Sequence, residues 1–127
     1  AALIDDQIAR GIDATRVVLA GFSQGGAIAL FEGLRSDHHV AGIVALSTYL
    51  VLPDALANER AAGREDLPIF QAHGRFDPMV AFERGRDAHE TLRAWGHAPV
   101  FHEYPMEHAV CAEEIDDLGR WLGELLA

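Results

Sequence analysis

The sequence predicts an α/β fold with about four parallel strands and flanking helices, and three observations support this prediction. Four short apolar runs rich in β-branched residues are typical of buried strands. The segments between most of these runs place apolar residues at helical spacing. Strands that alternate with helices along a chain pair in parallel through right-handed crossovers. With 127 residues, 50% of them hydrophobic, the chain is long enough to form one domain with a substantial core.

The first part of the chain reads as helix, strand, helix, strand. Apolar residues at helical spacing predict a first helix over residues 3–12 that stops near Gly11. Residues 17–20 (VVLA) predict the first buried strand. The apolar face of residues 24–35 predicts a helix directly after it, and residues 40–46 (VAGIVAL) predict the second strand.

Residues 47–67 are predicted to form a lid-like loop region. Pro53, Asn58 and Gly63 interrupt any regular pattern, and a charged run follows them. One helical turn is expected within this region, at residues 54–60.

The remaining residues predict two more strands and two more helices. Residues 67–72 and 99–104 are the strands, the first with its Pro at the start, where a missing N–H is tolerated. Between them a helix is expected to open at Pro78 and to run to about Trp95. A final helix over residues 111–126 places apolar residues at i, i+3 and i+4.

Composition and charge exclude several classes of function. Ten Lys and Arg residues against 20 Asp and Glu residues give a net charge of −10, which argues against binding of nucleic acid or anionic lipid. No apolar run reaches the roughly 18 residues of a membrane span. The first residues contain no basic region or cleavage site of a signal peptide. Because Cys111 is the sole cysteine, an intrachain disulfide is excluded, and we expect a cytoplasmic protein.

No cofactor or metal ion is predicted. The sequence contains no H-E-x-x-H, no P-loop and no G-x-G-x-x-G, and its histidines lack zinc-site spacing. Cys111 is interpreted as a buried structural thiol rather than as a nucleophile beside His108.

Ser23 is the candidate nucleophile. It lies in Gly21-Phe22-Ser23-Gln24-Gly25, a match to G-x-S-x-G between a predicted strand and a predicted helix. This motif forms a tight turn that exposes the serine hydroxyl, and Gly21 and Gly25 are expected where a side chain would collide. The alternatives are a chance match or a glycine-rich turn that binds phosphate.

Asp77 is the candidate acid that orients the base. In hydrolases with this turn, the nucleophile is followed along the chain by Asp or Glu and then by His. Asp77 comes just after the third predicted strand, where sites of parallel sheets form. The alternative is that Asp77 only caps the helix that opens at Pro78.

His108 is the candidate base because it follows the last strand, downstream of Asp77. His73, also at a carboxyl end, is the second choice. The other five histidines are weaker candidates: His38 and His39 precede a strand, His102 lies inside one, and His89 and His97 are expected in an exposed stretch around the fourth helix.

These residues resemble a known family. Leu19 to Ala27 (LAGFSQGGA), Gly74 to Val80 (GRFDPMV) and His108 to Cys111 (HAVC) are similar to segments of the carboxylesterase, phospholipase and acyl-protein thioesterase branch of the α/β-hydrolases. The resemblance covers the whole chain but only about the C-terminal half, or slightly more, of the family's domain. It implies that residues 1–127 are a single C-terminal portion of such a domain, with a partial α/β-hydrolase fold.

The resemblance implies a role for each candidate residue. Ser23 would be the nucleophile, His108 the general base and Asp77 its orienting acid, and the Gln24 backbone N–H would donate to the oxyanion hole. The family commonly has Gly before the catalytic His, whereas this chain has Glu107, whose carboxylate either interacts with the imidazole or points to solvent.

The implied reaction is hydrolysis of a small ester or thioester substrate through an acyl-enzyme. The main interpretation is a carboxylesterase with short or medium acyl substrates, whose groove includes Tyr49 and Leu50. The alternatives are acyl-protein thioesterase or lysophospholipase activity, or a non-catalytic truncated fragment without the second oxyanion donor, which the family places upstream.

The same resemblance predicts how the chain associates. The family's first strands would lie upstream of Ala1, so the strand at residues 17–20 would be an exposed apolar edge of the sheet. Such an edge tends to pair with another chain. We therefore expect a homo-oligomer formed through this edge.

Overall fold

Four parallel strands form the central sheet of the structure, a computed structural model that describes residues 2–127. They are β1 (Val18–Phe22), β2 (Gly42–Leu46), β3 (Ile69–Gly74) and β4 (Val100–Tyr104). The strands lie side by side in chain order, each parallel to the next. This arrangement confirms the predicted α/β fold with about four parallel strands. β1 and β4 are the outer strands among residues 2–127, and the second edge of β1 has no strand partner there.

Helices connect the strands and cover both faces of the sheet. They are α1 (Ala2–Ala9), α2 (Gln24–Arg35), α3 (Pro53–Glu59), α4 (Phe82–Ala94) and α5 (Ala112–Leu125), and a short 3-10 turn (Ala14–Arg16) precedes β1. No helix within residues 2–127 has the length and apolar character needed to cross a membrane.

One face of the sheet packs against α1 to α4. Ile43 and Ala45 of β2 and Ile69 of β3 point to this face because alternate residues of a strand share a side. They are buried against apolar residues of the four helices, namely Ile4, Leu30, Leu34, Leu56 and Leu92.

The opposite face packs against α5. Val44 of β2 and Phe70 of β3 are buried on this side, with Leu118, Trp121 and Leu122 of α5 packed over them. The Trp121 and Phe70 rings lie 5.6 Å apart between centroids. The i, i+3, i+4 spacing that predicted α5 therefore describes its contact with the sheet.

A buried carboxyl group lies where α5 begins. Glu114, in the first turn of α5, has no exposed surface, and neither carboxyl oxygen has a hydrogen-bond partner. Burial raises the pKa of Glu114 to about 7, and the nearby Cys111 backbone N–H, which does not reach hydrogen-bond geometry, only partly opposes this shift. The neighbouring Tyr104 hydroxyl donates to Asp117 Oδ2 over 2.6 Å.

The predicted and observed boundaries differ most before α4. The helix begins at Phe82 rather than at Pro78, because the Asp77 carboxylate accepts hydrogen bonds from the Met79 and Val80 amides. A side chain that satisfies these amides stabilises a turn in competition with the helix.

Two histidines near α4 are less exposed than the sequence suggested. His97, after the helix, is 5% exposed, and His89, within it, is half-buried. Burial, with Arg60 nearby, lowers the pKa of His97, and burial is also the main cause of the lowered pKa of His89. The expectation that both histidines lie in an exposed stretch was therefore wrong.

Candidate active site

Ser23 lies in a sharp turn between β1 and α2. Its backbone has φ 58° and ψ −122°, in a region that residues with a side chain rarely adopt. A Cβ on Gly21 would lie 2.2 Å from the Gly25 carbonyl carbon, so position 21 requires glycine. A Cβ on Gly25 would meet no atom within 4 Å, which makes the predicted collision there wrong. The crowded neighbour is instead Gly26, where a Cβ would lie 2.8 Å from Thr48 Cγ2.

Two hydrogen bonds hold this turn against the end of β2. The Ser23 backbone N–H donates to Leu46 O over 2.8 Å. The Thr48 hydroxyl donates to Ser23 O over 2.5 Å, and Thr48 itself is buried. Thr48 was not among the predicted site residues, although its position just after β2 follows the same rule that selected Asp77.

His108 follows β4, at the opposite edge of the sheet from β1, and the chain after β4 brings it to Ser23. The segment after β4 is held to the segment after β3, since Arg75 N–H donates to Tyr104 O over 2.9 Å and Phe76 N–H to Met106 O over 3.1 Å. His108 Nε2 then lies 3.1 Å from Ser23 Oγ.

The Phe22 ring, which sequence reasoning missed, packs beside the imidazole of His108 at 4.7 Å between centroids. The position of Phe22 directly before Ser23 is the feature of the sequence that could have identified it as a residue of the site. Glu107, which precedes His108, is exposed.

Asp77 uses its two carboxylate oxygens for different partners. Oδ2 lies 2.6 Å from His108 Nδ1. Oδ1 accepts from the Met79 amide over 2.9 Å and from the Val80 amide over 2.8 Å. The two roles considered for this residue, partner of a histidine and cap of backbone amides, therefore occur together. The cap belongs to a turn rather than to the first turn of α4.

The environment of Asp77 favours its ionised form. The side chain has no exposed surface, and this burial alone would raise its pKa. The Val80 amide, the His108 side chain and the Met79 amide together outweigh burial and hold the pKa of Asp77 below its usual value. The carboxylate thus stays charged beside His108 without contact with solvent.

The contacts define which ring nitrogen of His108 carries a proton. An ionised carboxylate only accepts, so Nδ1 is the donor to Asp77 and the neutral ring leaves Nε2 free to accept. Nε2 is the atom that faces Ser23 Oγ. This arrangement can take the hydroxyl proton as the oxygen attacks a carbonyl carbon.

The other predicted site residues lie at the rim or outside this arrangement. Gln24 is exposed and begins α2, and the first N–H groups of a helix have no intrahelical partner. Its role in an oxyanion hole stays a prediction. Cys111 is half-buried beside the cluster that contains Tyr104.

Tyr49 and Leu50 line a cavity of about 180 Å³ between the segment after β2 and α4. The Arg84 guanidinium lies over the Tyr49 ring, 4.1 Å from its centroid. Neither Ser23 nor His108 lines this cavity, and a substrate role for Tyr49 and Leu50 stays a prediction.

Comparisons with known proteins agree with the fold and with the family resemblance. The sequence model of the Phospholipase/Carboxylesterase family matches residues 1–126. Acyl-protein thioesterase 1 of Neurospora crassa is 42% identical over 127 residues, which cover 98% of this chain and 52% of that protein. Acyl-protein thioesterase 1 of Mycosarcoma maydis is 43% identical over 120 residues, or 91% of this chain and 50% of that protein.

The crystal structure of Arabidopsis thaliana SOBER1 is similar with a TM-score of 0.93 and 30% identity, over 99% of this chain and 60% of that one. The chain spans about half the length of the curated relatives that it matches. Because the family model matches nearly every residue, the chain belongs to the phospholipase/carboxylesterase family of α/β-hydrolases.

Proposed function

We propose that this chain carries the catalytic triad of a serine hydrolase that cleaves acyl thioesters in the manner of an acyl-protein thioesterase. The observation that carries the proposal is the unbroken line of contacts from Asp77 Oδ2 through His108 to Ser23 Oγ, at 2.6 and 3.1 Å. The names of the similar proteins support the thioesterase alternative better than the main interpretation from sequence, a carboxylesterase for short or medium acyl esters.

In this mechanism Ser23 Oγ attacks the carbonyl carbon while His108 Nε2 takes its proton. The buried Asp77 carboxylate stabilises the imidazolium that forms. The tetrahedral intermediate collapses when the C–S bond breaks and His108 gives the proton to the leaving thiolate. Water, deprotonated by His108, then cleaves the acyl-enzyme, releasing the carboxylic acid and restoring the serine. The Gln24 N–H would stabilise the oxyanion in both steps.

The second candidate function is that of a portion of a hydrolase domain that does not turn over substrate by itself. It is favoured by the coverage, because the chain matches only about half the length of its relatives. One missing oxyanion donor lowers turnover by about 10²–10³-fold, because it slows both acylation and deacylation. A strongly electrophilic fluorophosphonate still labels a serine that His108 activates, although more slowly. Fluorophosphonate labelling and steady-state turnover therefore separate the two candidates.

The test is hydrolysis of a short-chain acyl thioester and of the matching p-nitrophenyl ester by the chain and by Ser23→Ala. Ser36→Ala is the matched control, because Ser36 lies at the opposite end of α2. Turnover that the Ser23 variant loses and the control keeps supports the proposal, and faster cleavage of the thioester supports the thioesterase form. Labelling of Ser23 by a fluorophosphonate without turnover supports the second candidate. Absence of both from a folded sample refutes the proposal.

A further inference from the structure

A buried histidine that the proposed mechanism does not use lies beside the Asp77 turn. His73, at the end of β3, is 1% exposed. It was the second choice for the base, yet its hydrogen bond goes to the turn that carries Asp77 rather than to Ser23. An imidazole held in the core next to a functional carboxylate needs a physical explanation.

The contacts of His73 are directed at one residue of that turn. Its Nε2 lies 2.7 Å from Val80 O. A carbonyl oxygen only accepts, so Nε2 carries the hydrogen. The same Nε2 lies 3.6 Å from Asp77 Oδ2, too far for a hydrogen bond but close enough for the N–H dipole to favour the carboxylate.

Val80 connects the two side chains. Its carbonyl accepts from His73, and its amide donates to Asp77 Oδ1 over 2.8 Å. Both backbone polar groups of Val80 are therefore fixed, one by each side chain. The chain of contacts continues from Asp77 Oδ2 to His108 Nδ1.

Packing leaves the His73 ring little freedom to move. A Cβ on Gly85 of α4 would lie 2.4 Å from His73 Nδ1, so the helix backbone approaches the ring closely. The Phe82 ring meets it edge-to-face at 5.9 Å between centroids. The imidazole thus acts as a rigid support between α4 and the Asp77 turn.

We propose that His73 is a positioning residue for the reaction, because its hydrogen bond to Val80 fixes the turn that aims Asp77 Oδ2 at His108. This inference rests on the proposed function and extends it to a residue that touches neither Ser23 nor substrate. A carboxylate displaced by about 1 Å costs on the order of 10²-fold in rate. We expect the loss of rate to lower kcat and to leave KM unchanged, because His73 does not bind substrate.

Two substitutions and a matched control test the inference. His73→Leu removes the donor to Val80, whereas His73→Gln keeps an N–H in the same region. His89→Leu is the control, because His89 lies in the same β3–α4 interface, 3.1 Å from Gln71 Oε1, and makes no hydrogen bond to the Asp77 turn. Gly85→Ala displaces the His73 ring from its other side and replaces His73→Leu if that variant does not fold.

Two readouts are measured on variants that keep a cooperative thermal transition. The first readout is kcat and KM for hydrolysis of the short-chain acyl thioester. The other is the low-field proton NMR signal of the short hydrogen bond between His108 Nδ1 and Asp77 Oδ2, assigned by its loss in His108→Ala. This signal requires no turnover, so it tests the positioning role even if the proposed function fails.

The expected result is a fall in kcat of about 10- to 100-fold in His73→Leu, with KM within about twofold and the proton signal lost or broadened. His73→Gln restores most of both, and His89→Leu changes neither. A folded His73→Leu with an unchanged signal and unchanged kcat overturns the inference. Equal losses in His73→Leu and His89→Leu also overturn it, since they show a packing effect alone. If the wild-type chain has no activity, persistence of the signal in His73→Leu overturns it, and specific loss supports it.

Discussion

Replacing Glu114 by Gln should stabilise the protein above neutral pH and have little effect in mild acid. The Glu114 carboxyl is fully buried, neither oxygen has a hydrogen-bond partner, and its pKa is raised to about 7. Between pH 4.5 and about 7 the unfolded chain ionises this group while the folded chain keeps it protonated. The folded state then binds more protons, so stability falls as the pH rises through this window.

The size of the effect follows from the two pKa values of Glu114. The difference between 4.5 and about 7, at 1.36 kcal/mol for each pKa unit, amounts to about 3 kcal/mol. About 2.5 kcal/mol of this loss falls between pH 5 and pH 8. Gln has nearly the same shape and does not ionise, so the wild type loses this amount relative to Glu114→Gln over that range.

The assay is urea unfolding of both proteins at pH 5 and at pH 8, followed by the combined fluorescence of Trp95 and Trp121, of which Trp121 packs beside Phe70. At each pH the unfolding free energy of the wild type is subtracted from that of the variant. The quantity of interest is how much this difference changes between pH 5 and pH 8. Other titrating groups and the packing difference cancel in this comparison. Glu113→Gln is the control, because Glu113 is the exposed neighbour in the same helical turn.

A change below about 0.5 kcal/mol between the two pH values would refute the reasoning, because it is within the usual range of surface substitutions. It would mean that Glu114 ionises in the folded protein with a partner that stabilises its charge. An equal change in Glu113→Gln would instead assign the effect to the helix N-terminus in general.

Four further predictions concern the site and the sheet. Asp77→Asn should lower kcat by about 10⁴-fold in the ester assay, because an amide does not hold His108 in the required tautomer; a loss below tenfold would contradict the assigned role. Gly25→Ala should stabilise the chain in urea unfolding by at most about 0.5 kcal/mol, below the range for a helix interior, because a Cβ there meets no atom within 4 Å and the position is the second residue of α2. Gly21→Ala, whose Cβ meets backbone at 2.2 Å, should abolish labelling of Ser23, and equal labelling in both glycine variants would refute this explanation of the turn. Sedimentation at high concentration should detect a homo-oligomer formed through the edge of β1 that has no strand partner among residues 2–127, and a strict monomer would count against it.

The strands and most helices could be predicted from the sequence because burial imposes simple periodicities. Residues 40–46 are apolar throughout since β2 is covered on both faces. α2 has the predicted bounds, Gln24–Arg35, because the strand before it ends in the sharp turn at Ser23. The cytoplasmic location and the oligomer stay predictions.

The proximity of Ser23, Asp77 and His108 was predictable from topology, since parallel strands bring their carboxyl ends to one side of the sheet. The individual hydrogen bonds were not. The start of α4 was misplaced because Asp77 satisfies two backbone amides that a helix at Pro78 would have used. His97 is buried near residues that are distant in sequence, such as Arg60, and no local pattern encodes this burial.

Ser23 and His108 follow the two outer strands, and 85 residues separate them along the chain. A nascent polypeptide therefore exposes the serine long before the imidazole that we propose as its base has been synthesised. The pair meets only when β1 and β4 are both in place, and a contact of this sequence separation carries a high entropic cost of loop closure. If the proposed triad operates, partly synthesised and misfolded chains carry an unreactive serine, and an electrophile that labels Ser23 in a translation mixture counts the molecules in which strands β1 to β4 have assembled.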